Sequence, residues 1–232
     1  MAKKKHTPPP KKSNLTLVYA GLALLVIAAL VIYSSSPATE TPQEKLPAAG
    51  KYVKLNKPSA YEPGKVKITE FLKFNCGHCY TLNQQLPALK KKYGDKLEIT
   101  YKPMLWRSMP QDQGFRKSIE AYILAERMGK GEEMKDALFK ALFVDKKDLS
   151  SELVLGDIAK SAGLGEDFSA ALKRGDARDE AEANIDEAVS YQVDETPTII
   201  INGNLKVTPA LTNEDTDAMA GNLDAIVASL LS

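Results

Sequence analysis

Between Val66 and Met104 the sequence changes period twice. Val66–Phe71 (VKITEF) shows the two-residue alternation and β-branched content of a strand. A helical run follows to about Tyr93 and is closed by Gly94, and Leu97–Met104 (LEITYKPM) reads as a second strand. Strand, helix and strand at this spacing constrain the fold more than any other feature. The two strands must pair in parallel through a right-handed crossover. Pro87 inside the helical run predicts a kink, because it removes one backbone hydrogen bond and crowds the preceding turn.

Residues 111–193 carry helical rather than strand periodicity. Ile119, Tyr122, Ile123 and Met128 suit one helix; Met134, Leu138, Leu142 and Phe143 a second; Leu153, Leu155, Ile158 and Ala159 a third. A shorter helix with Phe168 and Leu172 follows, then one over Asp176–Tyr191 with Ala181, Ile185, Ala188 and Val189 on its apolar side. Strand signal returns at Thr198–Ile201 and Leu205–Val207 around an Asn202-Gly203 turn, and a last helix spans about Asp215–Leu231. Tyr52–Leu55 suggests a short edge strand. The plan is βαβ, a helical insertion of about 80 residues, then ββα. That is the α/β class, a mixed sheet flanked by helices.

Ahead of this domain, residues 51–232, stand three different segments. Residues 1–14 form a basic tail, and Leu15–Tyr33 is a 19-residue stretch without a charge. As a helix the stretch would be roughly 28 Å long, close to the ~30 Å hydrocarbon core of a bilayer. Five lysines precede it, which places the N-terminus in the cytoplasm and the domain outside the cell membrane. A cleaved signal peptide is the alternative, with a normally shorter apolar region. Both readings export the domain. Residues 34–50, with Pro37, Pro42 and Pro47, read as a tether.

Charge narrows the function classes. The totals of 31 basic and 30 acidic residues hide the five tail lysines, so the domain itself is mildly acidic. That disfavours nucleic acid as a partner. The domain holds a single histidine and two cysteines, too few for a multi-His or four-thiolate metal site.

The informative feature is Cys76-Gly77-His78-Cys79, placed where strand passes into helix. This spacing puts both sulfurs on one face, near enough to bridge. Cys76 falls at the helix N-terminus, where free N–H groups and the macrodipole favour the thiolate, the attacking species. Gly77 permits a tight turn. His78, when protonated, would add positive charge beside the Cys76 sulfur. A structural disulfide would restrain little of the unfolded chain across so small a loop.

The string Thr69-Glu70-Phe71-Leu72-Lys73-Phe74-Asn75-Cys76-Gly77-His78-Cys79-Tyr80 resembles the active-site region of the DsbA family of extracytoplasmic thiol–disulfide oxidoreductases. The resemblance extends over 51–232 and includes Thr196-Pro197 before a late strand. It implies a thioredoxin fold with a helical insertion and no cofactor beyond the redox-active Cys76–Cys79 pair. It further implies that Cys76 attacks, that buried Cys79 resolves, and that Glu70 handles the resolving thiol's proton. Pro197 matches the family's cis-proline, whose loop, with Thr196, holds substrate backbone. The implied partners are reduced client proteins and a quinone-linked membrane reoxidant of the DsbB type.

Some alternatives stay open. Gly77 stands where the best-known members carry proline, and Gly-His is the dipeptide of protein disulfide isomerases. A disulfide reductase or isomerase, or a tethered peptide-binding module, therefore remains beside the oxidising reading. On strand alternation alone Glu70 could face solvent or lie buried beside Cys79, where its pKa would rise. Met104, Leu105, Trp106 and Met109 form an apolar patch suited to peptide binding or to core packing.

Overall fold

A computed structural model describes residues 44–232. The basic tail and the charge-free stretch at 15–33 lie outside these residues. Among the described residues no helix is long and apolar enough to cross a membrane.

Five strands form one mixed sheet: β1 (Val53–Lys54), β2 (Val66–Leu72), β3 (Leu97–Pro103), β4 (Thr198–Ile201) and β5 (Leu205–Val207), in the order β1-β5-β4-β2-β3. β2 and β3 pair in parallel, as the βαβ pattern requires, with Glu70 opposite Tyr101. β4 lies antiparallel on the other side of β2. The β4–β5 hairpin turns through Asn202 and Gly203 at φ 47° and 79°, the left-handed pair that an Asn-Gly turn supplies with least strain.

The connection between β2 and β3 is α1 (Gly77–Tyr93), which runs unbroken through Pro87. The helical insertion contains α2 (Arg116–Arg127), α3 (Gly131–Phe143), α4 (Glu152–Ser161), α5 (Glu166–Arg174) and α6 (Arg178–Ser190). At its centre is α2, where Ser118–Ala125 are all buried because α3, α4, α5 and α6 pack around it. Three residues expected on apolar faces are instead exposed: Met128, Leu153 and Val189. Met128 caps the end of α2, Leu153 sits in the first turn of α4, and Val189 sits in the last turn of α6, where a helix turns away from its neighbours.

The chain closes with α7 (Thr216–Leu231), packed beside α1. Residues 44–50, the end of the expected tether, run along α7. The Ala48 amide donates to Ser229 Oγ at 2.7 Å, and Glu44 pairs with Lys54 at 2.6 Å.

Side chains on the two faces of the sheet meet different layers. Phe71 packs on Tyr191 just beyond α6, with ring centroids 5.6 Å apart. Its strand neighbour Glu70 therefore faces the opposite layer, that of α1. Aromatic contacts tie α1 to the insertion: Tyr80 stacks on Phe143 at 4.7 Å, and Phe74 meets Phe139 edge-on at 5.3 Å.

Candidate active site

Cys76 is the N-cap of α1. Its backbone is extended (φ −99°, ψ 122°) and its sulfur accepts a hydrogen bond from the Cys79 amide at 3.3 Å. A sulfur in this position takes the place of the usual capping oxygen and gains most when it carries a negative charge. Both cysteines are free thiols, Cys76 half-buried and Cys79 fully buried.

Their acidities diverge. Hydrogen bonding from the Cys79 thiol and the Thr196 side chain, with backbone N–H groups of Cys79 and His78, outweighs burial and lowers Cys76 to about 6. Burial, followed by the hydrogen bond to Cys76 and the charges on Cys76 and Glu70, pushes Cys79 well above the ordinary thiol range. One sulfur is thus poised as an anion beside a second that keeps its proton.

Glu70 lies at the middle of β2 and is 1% exposed. Burial raises its carboxyl to about 8, and Lys135 opposes that rise. The buried alternative for Glu70 is the one realised. The Thr196–Pro197 peptide is cis, and the Thr196 carbonyl lies 3.1 Å from the Cys76 sulfur as acceptor of its S–H.

His78 departs from expectation. Its ring turns toward α7, with Nδ1 2.9 Å from Thr216 Oγ1 and Nε2 3.9 Å from Glu214. What His78 offers Cys76 is its backbone N–H. Gly77 also departs from it: its φ is not left-handed, and a Cβ there would meet nothing within 4 Å. A tight turn does not require glycine at this position. In the apolar patch, Met104 and Leu105 are core residues, whereas Trp106 is half-buried and Met109 exposed.

Sequence reasoning missed a network around the loop that precedes Cys76. Buried Asp112 pairs with Lys73 at 2.6 Å, accepts from Asn75 Nδ2 at 3.1 Å and accepts from the Trp106 amide at 3.1 Å. Lys73 and Asn75 lie in the β2–α1 turn itself, so Asp112 fixes the approach to Cys76 from another segment. The pattern offered no sign of this contact, which spans nearly 40 residues.

A model of the DSBA-like thioredoxin domain matches residues 67–224. The chain belongs to this family. It is an enzyme, a protein thiol:disulfide oxidoreductase whose redox chemistry resides in its cysteine pair. Among relatives of this DSBA-like chain is the thiol:disulfide interchange protein DsbA of Burkholderia cepacia, 26% identical over 171 residues, covering 72% of this chain and 78% of the relative. That of Azotobacter vinelandii is 25% identical over 187 residues, covering 77% and 85%. The crystal structure of DsbA from Xylella fastidiosa superposes with a TM-score of 0.62 at 21% identity, covering 79% of this chain and 97% of that one. The structure of Pseudomonas aeruginosa DsbA gives 0.60 at 21% identity, covering 75% and 91%. These two structures speak for the fold: a DsbA-type thioredoxin sheet with a helical insertion.

Proposed function

We propose that this oxidoreductase introduces disulfides into client proteins outside the cytoplasm, working from a membrane anchor at residues 15–33. The observation that carries the direction is the acidity of Cys76, lowered to about 6 against a thiol value of 9.0. A stabilised thiolate exists only in the reduced enzyme, so it makes the enzyme disulfide easier to reduce. At pH 7 about one pKa unit of the shift is expressed, or about 1.4 kcal/mol, equivalent to about 30 mV. Stabilisation of the reduced form is a general origin of oxidising power, for which the best-known DsbA is the usual example.

In the reaction a client thiolate attacks Cys76 of the Cys76–Cys79 disulfide. The S–S electron pair moves to the Cys79 sulfur, which takes a proton from the Glu70 carboxyl. A second client thiolate then attacks the client sulfur of the mixed disulfide and expels Cys76 as the thiolate. The client leaves with a new disulfide, and the enzyme keeps two electrons. The Thr196 carbonyl lies beside the attacked sulfur, next to the cis bond to Pro197, where an extended client segment could pair with the Thr196 backbone. A quinone-linked membrane enzyme of the DsbB type would remove the electrons.

The dipeptide Gly77-His78 favours a second reading, reduction or isomerisation. Thiol alkylation after acid quenching of cells separates the two. A resident pool held mainly as disulfide supports the oxidant; a pool held mainly as dithiol contradicts it. Carbonate extraction tests the anchor in the same cells. Membrane-retained chains that keep the N-terminal lysines support it, and mature chains starting near Ser34 contradict it.

A further inference from the structure

Behind the cysteines the fold buries a cation. Lys135, on α3, is 2% exposed. Its Nζ donates to Asn83 Oδ1 at 2.6 Å and pairs with Glu132 at 2.9 Å, with Asp136 at 3.6 Å. It also stands 4.0 Å from the centre of the Tyr101 ring. A buried ammonium is costly unless its surroundings compensate it, and these contacts lead to the redox centre. Asn83 lies one helical turn beyond Cys79 on α1. Tyr101 lies directly opposite Glu70 in the β2–β3 register.

We propose that Lys135 is a positioning residue for the Glu70 carboxyl, setting the protonation balance of Glu70 and through it the deprotonation of Cys79. The inference rests on the reading of Glu70 as the group that exchanges a proton with Cys79. The step concerned is escape from a stalled mixed disulfide. The Cys79 proton passes to the Glu70 carboxylate, and the Cys79 electron pair forms a bond to the Cys76 sulfur. The bond from Cys76 to the client breaks, and the client sulfur leaves as a thiolate.

The charges around Glu70 favour this role. Burial raises the carboxyl, Lys135 lowers it, and the charges of Cys76 and Glu132 raise it. From β3 and α2 come Tyr101 and Tyr122, both pushed upward mainly by burial and hence neutral at working pH. Glu126 on α2 is engaged by Tyr122 at 3.1 Å, and Lys90 on α1 stands further off, 5.9 Å from the Tyr101 ring. Among the described residues Lys135 is thus the buried cation on Glu70's side of the sheet. The helical insertion, which carries none of the cysteines, supplies it.

The test is titration of the Glu70 carboxyl by carbon NMR in the reduced protein, with release of glutathione from a Cys76–glutathione mixed disulfide followed across pH. Lys135→Met is expected to raise the Glu70 midpoint by about one pH unit or more, and to move the acid limb of glutathione release with it. Glu132→Gln, at a half-exposed position, is expected to lower the midpoint. Should Lys135→Met fail to fold, Lys135→Gln, which keeps a hydrogen-bonding head beside Asn83, takes its place, and an unmoved midpoint there overturns the proposal. A midpoint unmoved in folded Lys135→Met overturns it as well. So does an equal slowing by Lys135→Met in the Glu70→Gln background, which would mark a purely structural role. Glutathione release unchanged by Glu70→Gln alone removes the underlying reading of Glu70 instead.

Discussion

The Cys76 sulfur lies 3.1 Å from the carbonyl oxygen of Thr196, 120 positions further along the chain. The turn before β4 therefore forms one wall of the site. The carbonyl can accept only from the thiol form, whereas hydrogen bonding from the Thr196 side chain favours the thiolate. Thr196→Val should keep the first and remove the second. The Cys76 midpoint is expected to rise by about one pH unit, measured by pH-dependent alkylation rates. A midpoint that stays at about 6 would show that the side chain contributes nothing.

Cys79→Ser should trap mixed disulfides with client proteins, because buried Cys79, the proposed resolving thiol, is gone while half-buried Cys76 stays reactive. Non-reducing electrophoresis of cell extracts should show adducts that vanish on reduction. They should also be absent when Cys76→Ser is added. Adducts that survive without Cys76 would mean that the nucleophile is misassigned.

Glu70 works against stability at neutral pH. Its folded-state pKa, about 8, lies above the ordinary 4.5. Its contribution is therefore fully present below about pH 4.5 and is lost as pH rises through 8. Glu70→Gln should stabilise the dithiol form at pH 7 by on the order of 3 kcal/mol. The gain should disappear below about pH 4.5. Urea unfolding at both pH values checks this, and a gain that does not change with pH would point to a cause other than ionisation.

Much of this architecture was legible in the sequence. The change of period around Cys76 specifies β2, α1 and β3, and with them the N-cap position that activates the sulfur. Asn202-Gly203 likewise announces the β4–β5 hairpin. The direction of the His78 ring was not legible, because it depends on Thr216, 138 positions away, docking beside α1. Lys135 was missed because a lysine in a charged helix reads as solvated. Its only signal is a place on the apolar stripe with Leu138 and Phe139, three and four residues on. Face alternation alone leaves Glu70 open, and the packing of Phe71 on Tyr191 decides it.

Asp112 should matter more than its distance in sequence suggests. Asp112→Ala leaves Lys73 nearly buried without its carboxylate and frees the Asn75 and Trp106 donors. The expected loss is about 3–5 kcal/mol, read from denaturant unfolding. Asp112→Asn, which keeps acceptor oxygen, should lose less. Equal losses would assign the effect to charge alone.

The proposed chemistry requires Cys76 to be the acidic thiol, and a pH titration of thiolate ultraviolet absorbance in the reduced protein tests that directly. A transition centred at about 6 is expected, absent from Cys76→Ser and retained in Cys79→Ser at a higher midpoint, since the Cys79 thiol is the leading source of the shift. A single transition near 9 in the wild-type protein would contradict the account.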